Sequence, residues 1–158
     1  MDPRIEIITE KKLVGIRIRM SLSDNNTTAL WQRFMSRRRE IKNQVSADLY
    51  SVQVYDKSLD FKDFTPTTVF EKWAAIEVAE LESLPAGMDE YILEGGKYAV
   101  FIHKGSASAF YKTFQFIYGD WLPNSKYQLD DRGHFELLGD KYKHEDSTSE
   151  EEVWVPIM

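Results

Sequence analysis

The chain has 158 residues, of which 42% are hydrophobic, 13% aromatic and 29% charged, a balance that excludes an intrinsically disordered chain and gives a single domain enough apolar material for a core. Twenty Lys and Arg stand against 26 Asp and Glu, and the formal charge of −6 has the wrong sign for a protein that grips a phosphate backbone. There is no cysteine, so disulfides, thiolate nucleophiles and Cys-ligated zinc are excluded, and the absence fits a reducing cytoplasm.

No apolar run approaches the roughly 18 residues of a membrane helix, and residues 1–8 lack the basic-then-apolar order of a signal peptide. Ile5, Ile7 and Ile8 suggest a short first strand. Over 13–20, Val14, Ile16, Ile18 and Met20 alternate with Gly15, Arg17 and Arg19, the period of a half-buried strand. Ser23, Asp24 and Asn25 then offer cap oxygens to a helix on which Leu30, Trp31, Phe34, Met35 and Ile41 recur at three- and four-residue spacing. Arg37, Arg38 and Arg39 fall in its last turns, where cations offset the helix dipole; an anion patch is the alternative reading.

Tyr50, Val52 and Val54 mark a strand over 49–55, followed by a loop with Lys57, Asp60, Lys62, Asp63 and Pro66 and a strand over 69–80. Gly95-Gly96-Lys97 opens a strand over 98–103. Gly105 and Ser106 lead into a second helix with Phe110, Tyr111, Phe114, Ile117, Tyr118 and Trp121 on one side, stopped by Pro123. A polar loop to Gly133, a strand over 134–138, an acidic loop from Glu145 to Glu151 and a strand over 153–157 complete the chain.

The two halves, about 1–80 and 95–158, repeat one order: strand, helix with an aromatic face, strand, charged loop, strand. The most economical arrangement is a single α+β domain of duplicated strand-helix-strand-strand units, an antiparallel sheet with two main helices on one side. A pseudo-twofold axis between the units then leaves a crevice at their junction, a favoured place for a small-molecule pocket.

Four segments carry a family resemblance: residues 95–105 (Gly95-Gly96-Lys97-Tyr98 to Gly105), residues 117–125 (Ile117-Tyr118-Gly119-Asp120-Trp121-Leu122-Pro123 to Ser125), Phe135-Glu136, and Val153-Trp154-Val155-Pro156-Ile157. In this order and spacing the chain resembles the GyrI-like family, the effector-binding domain at the C-terminus of multidrug-sensing and AraC-type bacterial transcription regulators. The resemblance implies a duplicated α+β fold with a central pocket. It departs from the family pattern at Leu138, where an aromatic residue is frequent, and around Ala75 and Ile76, where a glycine is. A full regulator of this kind carries an N-terminal helix-turn-helix, whereas this chain begins with the domain's first strand, so a free-standing effector-binding domain is expected.

Glu136 matches the family's motif glutamate, which the resemblance associates with cationic, lipophilic ligands. A carboxylate beside Phe135, Leu137 and Leu138 is costly to bury unless a cation or donors meet it; an edge-strand Glu facing water is the alternative. Tyr98, Phe101, Tyr118, Trp121 and Trp154 would supply π faces to a cation, each contact worth about 0.5–2 kcal/mol, against plain core packing, which is the stronger reading for Phe101, Phe110 and Phe114. His103, His134 and His144 are too scattered for a metal, and His134 lies in a solvated Asp-Asp-Arg-Gly-His run. No metal or cofactor is therefore expected. Ser106 and Ser108 look like helix caps, and a triad through His103 is a weak alternative. Gly95-Gly96-Lys97 precedes a strand and lacks the Walker spacing. Glu150, Glu151 and Glu152 read as a solvated loop.

The expected function is binding or sensing of an amphipathic, cationic small molecule, without direct contact to nucleic acid or membrane. A hydrolase of a reactive natural product is the alternative, with Glu136 positioning water beside a Tyr98 or Trp121 donor. A modulator of a partner protein such as DNA gyrase follows from the family name alone.

Overall fold

A computed structural model describes residues 1–143 and 146–158. His144 and Glu145, which the sequence reading placed among the scattered histidines and at the start of the acidic loop, lie outside the described residues. The strands are β1 (Arg4–Ile8), β2 (Lys11–Met20), β3 (Gln44–Val54), β4 (Phe70–Val78), β5 (Asp89–Leu93), β6 (Gly96–Lys104), β7 (His134–Leu138) and β8 (Glu150–Pro156). The helices are α1 (Thr27–Arg37) and α2 (Phe110–Phe116), and α2 runs on into a wide π turn over Ile117–Trp121.

All eight strands form one antiparallel sheet in the order β1-β6-β8-β7-β3-β4-β2-β5. The order is symmetric about the β7–β3 junction. Short strands complete both edges: β1 of the first half pairs with β6 of the second, and β5, which lies between the two halves, pairs with β2 of the first. Periodicity misses β5, whose Asp89 and Glu90 make it too polar to stand out; its partner β2 holds it in place.

One row of cross-strand neighbours fixes the faces: Phe101 pairs with Val153, Val153 with Glu136, Glu136 with Ser51, Ser51 with Ala74, and Ala74 with Ile16. α1 sets Leu30 and Phe34 on Val14, Ile16, Ala74, Ile76 and Val78 at one end of this face. Ile117, with Phe110, Phe116 and Trp121 beside it, covers Ala99, Phe101, Val153 and Val155 at the other. Both helices therefore lie on one side of the sheet, with β3 and β7 between their footprints. The opposite face buries Leu13, Tyr50, Val52, Trp73, Tyr98, Phe135 and Trp154 against one another, which the curl of a long twisted sheet permits.

Local details differ from expectation for identifiable reasons. α1 starts after Asn26, with the Asn25 side-chain oxygen accepting from the Thr27 amide at 3.0 Å. It ends at Arg37, whose guanidinium turns back to Glu40 through two bonds of 2.8 and 2.9 Å, so Ile41 is buried beyond the helix. Gly15 is a packing requirement: a Cβ there would lie 2.0 Å from the Ala74 carbonyl oxygen. The acidic run Glu150-Glu151-Glu152 is no loop. Its backbone pairs with Lys104, His103 and Ile102 of β6, and the ladder overrides the low strand propensity of glutamate.

Candidate functional site

Glu136 lies midway between the two helix footprints, on the helix-bearing face. Its strand neighbours Phe135 and Leu137 point to the other face, so alternation alone sends the carboxylate here. Its side chain is 15% exposed and that of Lys72 on β4 10%, with the Lys72 Nζ 3.9 Å from Glu136 Oε1. Gln53, which pairs with Lys72 across β3 and β4, donates its Nε2 to the same oxygen at 3.2 Å.

Burial pushes the Glu136 carboxyl above the ordinary carboxylate range, and Lys72, the Gln53 hydrogen bond and His103 oppose it. Burial likewise lowers the Lys72 ammonium, with Glu136 and then Glu151 opposing. Glu151 shares this face, because it stands two residues before Val153, the cross-strand neighbour of Glu136. Burial first, then the Glu136 charge, pushes the Glu151 carboxyl up to about 8, although Lys72 pulls the other way. Two carboxyl groups and one ammonium thus share a poorly solvated surface.

Aromatic rings close over one end of this surface. Tyr118 follows α2, and its hydroxyl pairs with His134 Nδ1 at 2.9 Å. Phe61, from the β3–β4 connection, stacks on Tyr118 at 5.2 Å and packs against Tyr55 at 4.8 Å. Phe64 and Phe114 extend the cluster, with Phe114 4.6 Å from Tyr118. The Tyr118 and Tyr55 hydroxyls are both raised by burial, and the Glu136 charge contributes to each. His134 is buried and held neutral, its pKa lowered to about 3 by burial and then by Arg132. The solvated environment expected for it is replaced by Tyr55, Phe61 and Tyr118.

The structure brings Tyr118 to Glu136 and separates the other aromatic candidates from it. Tyr98 and Trp154 lie on the opposite face. Their π faces are already covered, Tyr98 by Arg132 at 4.6 Å and Trp154 by Arg4 at 5.7 Å. The Tyr98 hydroxyl is spent on the Glu94 and Gly133 carbonyl oxygens. Phe101 and Trp121 share the helix side but pack on each other, 5.1 Å apart, in the core beneath α2. A hydrolytic pairing of Glu136 with Tyr98 or Trp121 therefore has no geometric basis.

His103 bonds to Thr113 Oγ1 at 2.7 Å and to the Ser106 carbonyl oxygen at 3.0 Å, not to a serine hydroxyl. Ser106 is the N-cap residue of the turn Ala107–Ala109, but its hydroxyl bonds to that of Ser108 and makes no capping bond to a backbone amide. Among the described residues no three His, Asp or Glu side chains are grouped to hold a metal, and no helix is long and apolar enough to cross a membrane.

A cleft of about 520 Å³ opens at the ends of β3 and β4, lined by Arg19, Glu71, Tyr91, Glu94 and Arg132 among others, and it reaches Tyr55 and Phe70 of the ring cluster. Its charges are of both signs. Arg132, the most buried of them, is occupied by Asp130 and by the carbonyl oxygens of Gly95, Lys97 and Ile157.

The GyrI-like small molecule binding domain family matches residues 1–158. The chain belongs to this family. It is 27% identical over 147 residues to the transcriptional regulator BrlR of Pseudomonas aeruginosa, covering 92% of this chain and 51% of that protein. The chain thus spans about half the length of this curated relative. Among solved structures, SAV2435 bound to tetraphenylphosphonium superposes with a TM-score of 0.76 at 15% identity, over 100% of this chain and 94% of that one. The EcmrR C-terminal domain does so with a TM-score of 0.71 at 12% identity, over 99% and 96%. These likenesses establish the fold.

Within this GyrI-like domain, sequence reasoning overlooks Lys72, Gln53, Glu151, Tyr55 and Phe61. For Lys72 there is a signal: it shares its alternating set with Ala74, Ile76 and Val78, in a strand whose other set holds Trp73 and Ala75. A lysine between two apolar faces needs a partner.

Proposed function

We propose that this chain binds an amphipathic organic cation, with Glu136 as its charged anchor, Tyr118 and Tyr55 as the aromatic walls, and Phe61 as the ring that a ligand ring displaces. The observation that carries the reading is a carboxyl group only 15% exposed on the face between two helices, two residues along β7 from His134, to which Tyr118 of the ring cluster is bonded; burial raises its pKa. In a partly dry site a carboxylate attracts a cation far more strongly than in water, and rings add cation–π attraction. The −6 charge of this stretch supports contact with ligand and not with DNA. The lack of cysteine suits a cytoplasmic protein.

Tetraphenylphosphonium is the test cation and triphenylphosphine oxide the neutral counterpart. Removing one member of a buried charge pair typically costs about 2–5 kcal/mol, so Glu136→Gln lowers affinity for the phosphonium at least about tenfold and leaves the neutral compound unaffected. Equal losses for both compounds in isothermal titration refute the charged-anchor role. Both are recovered unchanged after incubation; conversion of excess compound points to a hydrolase instead.

A further inference from the structure

The helix-bearing face holds more charge than a single anchor requires. Relating the halves by the half-turn that exchanges Glu136 with Ser51 carries Val153 onto Ala74, and hence Glu151 onto Lys72. An acid and a base thus occupy equivalent places on either side of Glu136. Lys72 lies near Glu136 Oε1, at 3.9 Å. Among the described residues, no side chain makes a hydrogen bond or ion pair to the Glu151 carboxyl group.

We propose that Lys72 and Glu151 decide which ligands the Glu136 site accepts: Lys72 holds the place a ligand cation would take, and Glu151 is the carboxylate to which its charge passes when that cation arrives. The inference rests on the reading of Glu136 as anchor. In the ligand-free protein Glu136 and Lys72 balance each other, and a neutral Glu151 adds nothing, which fits a carboxyl raised to about 8. An incoming monovalent cation leaves one positive charge in excess. Glu151 restores balance by releasing its proton to solvent, and Lys72 then lies between two carboxylates. One cation enters and one proton leaves, so affinity rises with pH up to about 8 and levels off above it.

Other titratable groups face or flank this surface, and the Glu151→Gln variant separates their contribution from that of Glu151. His103, directly across from Glu151 on β6, has both ring nitrogens bonded, to Thr113 and the Ser106 carbonyl. His134 is already neutral. Tyr55 and Tyr118 are held protonated. Glu152 points to the other face, bonded to Arg4 and the Trp154 indole. Glu150, on that same face, pairs across the ladder with Lys104.

The test is titration with tetraphenylphosphonium at pH 7 in phosphate and in Tris, buffers whose ionisation enthalpies differ enough to count protons. The wild-type chain releases close to one proton per cation bound. Glu151→Gln abolishes this release and weakens binding, whereas Lys72→Met strengthens it, each by about fivefold or more because one like or unlike charge has been removed from a buried site. Glu136→Gln is the control for the anchor itself, and thermal melts confirm that each variant is folded; the wild-type proton count needs no variant. Binding without proton release, or weaker binding by Lys72→Met, overturns the proposal while a loss in Glu136→Gln preserves the anchor. If Glu136→Gln binds as well as wild type, or if no form binds the phosphonium, both readings fall.

Discussion

Replacing Glu136 with Gln should destabilise the ligand-free protein, because Lys72 would be left in a nearly dry site without its counter-charge. Breaking a buried ion pair from one side commonly costs about 3–5 kcal/mol. Two features of this site reduce that figure. The pair is long, at 3.9 Å, and Lys72, its pKa already lowered by burial, can shed its proton. A cost of about 2 kcal/mol follows, and for a domain of this size about 2–4 °C of melting temperature accompanies each kcal/mol, so a loss of about 4–8 °C is expected at pH 7. Lys72→Met should also cost stability, by leaving Glu136 to take up a proton. The double variant should recover most of the combined loss, since an apolar and an amide side chain leave no unpaired charge. Urea denaturation of all four forms gives the coupling energy, expected at about 1–2 kcal/mol. If the two single substitutions are near neutral and strictly additive, Lys72 and Glu136 do not share a buried site, and the electrostatic account of this face fails.

Three further outcomes follow from particular residues. Phe61→Ala removes a ring from the stack on Tyr118 and Tyr55; it should lower stability by about 1–3 kcal/mol yet tighten binding of tetraphenylphosphonium, because a ligand ring no longer competes with it, and weaker binding would make Phe61 a wall. Gly15→Ala should cost about 3 kcal/mol or more and yield little folded protein, since the new Cβ would meet the Ala74 carbonyl oxygen at 2.0 Å; normal expression and melting would refute that packing. Glu151→Gln should change the pH profile of stability. With the folded pKa raised to about 8 above an unfolded value of about 4.3, the wild type binds more protons when folded and loses stability as pH rises through that interval. The variant should melt like wild type near pH 4 and above it near pH 8.5; parallel melting curves would contradict this.

Much of the fold was legible because its long strands and helices bury one regular stripe each: Val14 to Met20 alternates, and Leu30 with Phe34 marks the inner face of α1. Of the candidate site, Glu136 and Tyr118 are the residues that sequence reading singles out. Alternation orders side chains within a strand but does not tell which faces of two strands coincide, and register alone sets Tyr98 and Trp154 opposite Glu136. Phe61 lies in a connection with no periodicity to reveal it. Glu150 to Glu152 have the composition of a solvated loop and are strand residues because β6 supplies their hydrogen-bond partners. Ser51 and Gln53 occupy the polar half of an alternating strand, yet both are buried, Gln53 with its amide bonded to Glu136.

The most direct test of the central claim is a crystal structure of the protein with tetraphenylphosphonium. The phosphonium should lie on the helix-bearing face beside Glu136, with its phenyl rings against Tyr118 and Tyr55, Phe61 displaced and Lys72 turned toward Glu151. A phosphonium bound in the cleft of about 520 Å³ beside Arg19, Tyr91 and Arg132, with the Lys72–Glu136 pair undisturbed, would contradict the account.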